Sequence, residues 1–225
     1  MIKRTTQVIK EHNYMVRLPM YLIGLLIMTF GISMSVKSNL GVSPVSSIPY
    51  TITCITGLEM GKATILFHIG LVLLQILILR KAFRIKNLLQ VVVGVIFGYF
   101  TTFSNYIFSF LPTPHSLPIR LSLMLGSTLL IAIGIFFYLP ADIIPLAGEG
   151  AMKAISDQTH IVFSKVKIGF DISMVIISLV CCIVVLGALG SVGIGTVVAA
   201  VLVGSFLGVI TQLFGDNRDR LLQRQ

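Results

Sequence analysis

Apolar positions fall into six long, nearly unbroken runs, at approximately 18–36, 63–79, 88–110, 121–139, 168–186 and 194–214. A helix rises about 1.5 Å per residue and the hydrocarbon core of a bilayer is about 30 Å thick, so about 20 apolar residues are needed to cross it. Each run predicts a spanning helix. Two segments differ in character, 38–61 and 140–167, each following one of these helices. Each contains a mildly apolar helical stretch of about 14 residues, about 21 Å long if helical and too short to cross. They predict re-entrant or broken half-helices at about 43–57 and about 145–158.

Charged positions orient the runs, because Lys and Arg in short loops stay on the cytoplasmic side. Lys3, Arg4, Lys10 and Arg17 precede the first run, Arg80, Lys81, Arg84 and Lys86 follow the second, and Arg218, Arg220 and Arg224 close the chain. The stretches 111–119 and 187–193 carry no Lys or Arg. Six spans with both termini cytoplasmic satisfy this pattern. Were the short segments to span as well, the cluster at 80–86 would lie outside, against the bias. The net charge of +9 then belongs to juxtamembrane loops, where anionic lipid is the partner, and nucleic acid is not implied.

The chain also resembles itself. Arg17, Leu18, Gly31, Ile32, Ile52, Thr56, Lys62, Phe67 and Ile69 recur without a gap as Arg120, Leu121, Gly134, Ile135, Ile155, Thr159, Lys165, Phe170 and Ile172. Gly, Thr, Lys and Arg among the matches argue for duplication rather than coincidence in an apolar composition. Residues 1–110 form one repeat and 111–225 the other, within one membrane domain. Three spans per repeat is an odd number, so the second copy is expected upside down relative to the first. The expected fold is an all-α integral membrane protein of six transmembrane helices, arranged as two inverted three-helix repeats, each with a half-helix. Gly94/Gly98 and Gly204/Gly208 have the spacing of close helix crossings, expected to serve packing within the bundle.

Composition narrows the class further. With 225 residues, 56% hydrophobic and 11% charged, and a mean hydropathy of +0.98, the chain carries more apolar surface than a soluble domain of this length could hide. Cys54, Cys181 and Cys182 offer neither a CxxC pair nor metal-ligand spacing. No metal site and no cofactor are implied. The basic N-terminus lacks a small-residue cleavage site and reads as retained, the first helix serving as its own insertion signal. Trp is absent, so an interfacial aromatic belt would draw on Tyr14, Tyr21, Tyr99, Tyr106 and Tyr138.

Candidate chemistry lies in the polar groups of the membrane region, where ionisable residues are costly and mark pathways. In Gly41-Val42-Ser43-Pro44, Ser43 is placed to accept from free N–H groups as an N-cap and Pro44 suits the first helical position, which would aim a positive helix end at the membrane interior. Gly148 and Gly150 flank Glu149 and predict non-helical backbone around a carboxylate, tolerated at membrane depth only beside protein or a wet cavity. His68 and Asp171 are equivalent under the repeat, as are Ser46 and Glu149, so these four are expected to converge across a pseudo-two-fold axis. His68 and Asp171 also have a plainer reading, as interfacial groups near Lys62 and Lys167. Tyr50, Thr51, Thr53, Ser47 and Gln75 can add hydrogen bonds to a ligand or to neighbouring helices. Lys153, Asp157, Gln158 and His160 read as the wet end of the second half-helix. There is no HExxH, P-loop or nucleotide fingerprint, and no Ser/His/Asp order in helix or loop context, so an enzyme is not expected.

A first helix, a Gly/Pro-rich stretch, a helix opening Phe-x-Ile, and Gly193-Ile194-Gly195-Thr196-Val197 leading into an apolar helix with Gly204 resemble the YczE/YitT group of small bacterial membrane proteins. The resemblance covers nearly the whole chain. Where members tend to carry an aromatic-acidic pair after the second Gly/Pro stretch, this chain has Gly148-Glu149-Gly150. The resemblance implies a fold and the bacterial inner membrane, and supplies no catalytic residues.

The expected function is a carrier or channel for a small polar solute with its site at the repeat interface, built from Glu149, Ser43, Ser46, His68, Asp171, Tyr50, Gly148 and Gly150. In it Glu149 neutralises a cationic group or carries a coupling proton, and the start at Ser43-Pro44 holds an acceptor group. A homodimer or an energising partner would fit the same chain, as a ligand-capturing subunit. The alternative is a non-transporting accessory or scaffold protein.

Overall fold

The computed structural model describes residues 14–223. Lys3, Arg4, Lys10 and Arg224, used above for orientation, lie outside the described residues. Among the described residues the chain forms eight α-helices and no strand: α1 (Tyr14–Ser38), α2 (Pro44–Thr56), α3 (Met60–Leu79), α4 (Leu89–Ser109), α5 (Leu117–Tyr138), α6 (Ala147–Thr159), α7 (Phe163–Leu186) and α8 (Ile194–Gln223). All except α2 and α6 belong to six segments long and apolar enough to cross a membrane. α2 and α6 have 13 residues each, about 20 Å, and fall short of that length.

Helix starts follow one spacing. Pro44 and Met60 open α2 and α3, and Ala147 and Phe163 open α6 and α7 at the offset that separates Arg17 from Arg120. Left-handed backbone recurs at the same offset, at Asn39 and Asp142 (φ 52° and 49°) and at Gly57 and His160 (φ 71° and 57°). Gly57 ends α2 because a residue without Cβ takes that conformation at no steric cost, and its N–H closes the helix on the Thr53 carbonyl.

α1 and α5 form the centre, antiparallel and nearly in backbone contact. A Cβ on Gly24 would stand 2.6 Å from the Tyr138 nitrogen, and one on Gly134 2.7 Å from the Gly24 carbonyl oxygen. Only glycine permits that approach, and dispersion across it replaces the hydrophobic drive that lipid cannot supply. α4 flanks α1 and α8 flanks α5; α2 lies on α7 and α6 on α3. Leu25, Met28, Ile32, Phe97, Ile131 and Tyr138 pack together between the central helices.

Three expectations need correction. Gly148, Glu149 and Gly150 are helical, in the first turn of α6, rather than a break. Tertiary contact outweighs the low helix propensity of Gly here, since a Cβ on Gly150 would meet the Gln90 side chain at 2.5 Å. Tyr21 and Tyr138 are buried core residues, 3% and 2% exposed, not belt residues. Gly204 and Gly208 meet nothing within 4 Å, unlike Gly94 and Gly98 of α4, which pack against α3.

Candidate functional site

The two short helices begin against one another inside the bundle. Gly148, second residue of α6, lies so that a Cβ would be 3.8 Å from Val45 of α2 and 3.9 Å from Leu71 of α3. Pro44, Ser46, Ala147 and Gly148 are all buried. The positive ends of two helices, with their unpaired N–H groups, are therefore brought together away from the surface.

At the start of α2, Ser43 occupies the cap position but makes no side-chain capping bond, contrary to expectation. Its hydroxyl turns to donate to Ser46 Oγ at 3.0 Å. Ser46 in turn lines a cavity of about 20 Å³ with Thr64, Phe67, His68, Pro49 and Phe97, a volume that admits about one water-sized occupant. His68 is 4% exposed, and its Nδ1 has no hydrogen-bond partner. Thr64 is satisfied by the Met60 carbonyl. The imidazole ring nitrogen is thus the unmatched polar group of this cavity, and a buried polar atom without a partner has a standing affinity for one.

Glu149 lies on the other short helix, on the side of α1 and α5. The Tyr138 hydroxyl donates to Glu149 Oε2 at 2.5 Å, and also accepts from the Leu146 N–H at 2.5 Å. Tyr21 stacks at 5.3 Å on Tyr138 and donates to the Ile144 carbonyl at 2.7 Å, which fixes the segment leading into α6. Sequence reasoning missed Tyr138 as the partner of Glu149; the signal is local, an aromatic hydroxyl eleven residues upstream. Gln75 takes the second of its two expected roles, bonding to neighbouring helices. Its amide donates to Gln90 Oε1 at 2.8 Å and to the Ala147 carbonyl at 3.2 Å, tying α3 and α4 to the first residue of α6.

The remaining candidates sit apart. Asp171 pairs with Lys167 one turn earlier, Nζ to Oδ2 2.6 Å, beside a cleft whose wall includes Pro44. This is its plainer, interfacial partner. Tyr50 packs on the α1 core one turn before Cys54 and does not line the His68 cavity. Ser46 and His68 are therefore brought together, Glu149 joins Tyr138, and Asp171 joins Lys167. Among the described residues no group of three or more His, Cys, Asp or Glu is placed to hold a metal ion.

Residues 15–212 match the model of a family described as "Family of unknown function (DUF6198)". The chain belongs to that family. It is also 27% identical over 198 residues, 88% of this chain and 86% of the relative, to a protein of Bacillus subtilis (strain 168) named "Uncharacterized membrane protein YczE". The resemblance drawn from the Gly/Pro-rich stretches and the Gly193–Val197 segment is to this same YczE-like family. No solved structure matches the chain.

Proposed function

We propose that this protein is a multi-pass membrane carrier or channel for a small polar solute, whose path runs between the starts of α2 and α6. The observation that carries the reading is the meeting of two helices too short to cross, with Gly148 against Val45, next to a His68 ring whose Nδ1 is buried and unpartnered. Transporters of duplicated architecture bind solute where two broken helices aim their positive ends at one point. In this reading the repeats are an inverted pair, α2 and α6 are half-helices entering from opposite faces, and both termini lie in the cytoplasm of a bacterial cell. The shared offset of helix starts, and the antiparallel crossing of Gly24 on Gly134, support the inversion.

The residues divide by chemistry. His68 and Ser46 offer a neutral acceptor and a hydroxyl to the solute, and Glu149, held by Tyr138, supplies negative charge on the facing helix. The small cavity corresponds to an occluded resting form, which must widen for any solute larger than water.

A thermal-shift screen of the purified protein with small amines, amino acids and polyols tests the proposal, since a ligand that binds the native state stabilises it by mass action. One class should raise the midpoint, with the shift reduced in Glu149→Gln and His68→Phe, and liposomes containing the protein should pass that class faster than empty ones. Failure of every class in both assays would remove the transport reading. Orientation is tested separately: cysteines at positions 112 and 192 should label from outside and those at 84 and 216 should not.

A further inference from the structure

Each repeat holds the turn that follows the first helix of the other. Arg120 of α5 donates through Nε to the Ser38 carbonyl at 2.8 Å and through Nη2 to the Asn39 carbonyl, where the chain leaves α1 for α2. At the repeat offset, Arg17 of α1 donates through Nη1 to the Ala141 carbonyl at 3.3 Å, where the chain leaves α5 for α6. Both arginines meet carbonyls at the end of a helical segment, a place that favours a cation. Because α1 and α5 are antiparallel, the two turns lie at opposite ends of the central pair.

The remaining ties diverge. The linker into α2, 39–43, is joined to the start of α8 through backbone: the Val42 N–H donates to the Ser191 carbonyl at 3.2 Å, and the Leu40 carbonyl accepts from the Gly195 N–H at 2.7 Å. The linker into α6, 142–146, has no backbone bond to another segment among the described residues. Side chains hold it instead. Beside Arg17, the Tyr21 hydroxyl donates to the Ile144 carbonyl at 2.7 Å and the Tyr138 hydroxyl accepts from the Leu146 N–H at 2.5 Å. A side-chain bond opens by a change of rotamer alone, whereas a backbone bond between segments opens only when the segments part. The two linkers are thus matched by the repeat and unequal in hold.

We propose that the α5–α6 linker is the gate of the α2–α6 junction: Arg17, Tyr21 and Tyr138 form a clasp whose release lets α6 withdraw and opens the junction to the face on which Arg17 lies, while the α2 linker stays shut. The inference rests on the transport reading for what passes, and adds which face opens and which side chains govern it. Glu149, bonded to Tyr138, lies directly behind the clasp.

The test uses the full chain in liposomes, with orientation scored by cysteines at positions 112 and 216 and a membrane-impermeant maleimide as probe. Val45→Cys, in a chain whose three native cysteines are replaced by Ala, is the reporter, because Val45 lines the His68 cavity and lies 3.8 Å from where a Gly148 Cβ would stand. From the Arg17 face, labelling should be about tenfold faster in Arg17→Gln and in Tyr21→Phe than in the parent, the equivalent of one lost hydrogen bond. From the opposite face neither should change. Arg120→Gln should alter labelling from either face by less than about twofold, because the backbone bonds of its linker remain. Equal gains from both faces, no gain in Tyr21→Phe, or a gain in Arg120→Gln as large as that in Arg17→Gln overturns the proposal. Should the cysteine-free chain fail to fold, hydrogen exchange of the chain with its native cysteines in nanodiscs decides: exchange should quicken over 142–150 and not over 39–46 in Arg17→Gln and Tyr21→Phe, and equal quickening of both linkers overturns the gate. Neither readout uses a solute. Solute passage without one-sided gains removes the gate alone, and one-sided gains in a protein that passes no solute uphold the gate and remove the transport reading alone.

Discussion

The seam between α3 and α4 and the seam between α7 and α8 occupy corresponding places in the two halves, yet one is closed and the other open. In the closed seam Gly61 and Gly98 bring helix backbones together over His68, which is buried. In the open seam valines stand at the positions of Gly94 and Gly98, and Asp171 lies beside a cleft, paired with an exposed lysine. The lesson is that in lipid, where apolar surface alone gives no drive to associate, close approach is decided by the presence or absence of a single Cβ. The buried fraction follows: 33% of the residues in the best windows of α3 and of α4, against 22% and 17% for α7 and α8. The first of these seams thus buries more of its helices than the second.

The largest effect should come from exchanging the residues that set this difference. Gly98→Val places branched carbons where even a Cβ would be 2.3 Å from Ile65 and 2.7 Å from a backbone oxygen, and should cost about 3 kcal/mol or prevent folding. The reverse exchange, Val201→Gly, removes an exposed side chain and should cost about 1 kcal/mol or less, mostly through helix propensity. Thermal unfolding in detergent, followed by circular dichroism, measures both. Equal costs would mean that glycine does not close the first seam.

A middle-sized effect separates the contacts that hold the short helices. On α3, the Gln75 amide serves both Gln90 and the Ala147 carbonyl; at the same offset on α7, Ser178 donates to Ser47 at 2.9 Å. Gln75→Leu strands the buried Gln90 oxygen and the Ala147 carbonyl and should cost about 2 kcal/mol, near the upper range for an unsatisfied buried polar pair. Ser178→Ala leaves Ser47 its bond to the Pro44 carbonyl and should cost about 1 kcal/mol. The same unfolding assay ranks them, and a reversed order would show that α6 is held by packing rather than by this amide.

Much of the architecture was legible from the chain because length and hydropathy suffice for a spanning helix. The closeness of α1 and α5 at Gly24, Gly31 and Gly134 was not legible, since a glycine in an apolar run does not name its partner. Gly94/Gly98 and Gly204/Gly208 look alike in sequence and differ in space, since spacing reports that a helix can be approached and says nothing of what approaches it. The candidate site was less legible. Gly148 and Gly150 suggested a break by propensity, whereas both are helical and the use of Gly150 is steric, admitting Gln75 and Gln90 beside α6. The four groups expected to converge instead sit in three arrangements, because Glu149 and Asp171 pair with neighbours that repeat symmetry does not reveal. Tyr138 takes the place of Ser35 at the same offset, and Lys167 the place of Thr64, so Glu149 and Asp171 have partners that Ser46 and His68 lack.

The smallest effect concerns the two helix starts. Ser43 precedes α2 in extended backbone, φ −60° and ψ 152°, as a capping residue does, but its hydroxyl is committed to Ser46. Leu146 precedes α6 with no polar side chain, and its N–H goes to the Tyr138 hydroxyl. Neither start is closed by its own side chain; in the proposed transport reading the first-turn N–H groups meet the solute at the junction of α2 and α6. Ser43→Ala should therefore cost only about 0.5 kcal/mol, the loss of one hydroxyl contact, where removal of a working N-cap costs about 1 kcal/mol or more. Unfolding of Ser43→Ala beside Ser46→Ala checks this, and near-equal small losses are expected because each removes the same bond. A loss in Ser43→Ala well above that in Ser46→Ala would mean that the Ser43 oxygen caps α2 in solution, and that this helix start is already satisfied before any solute arrives.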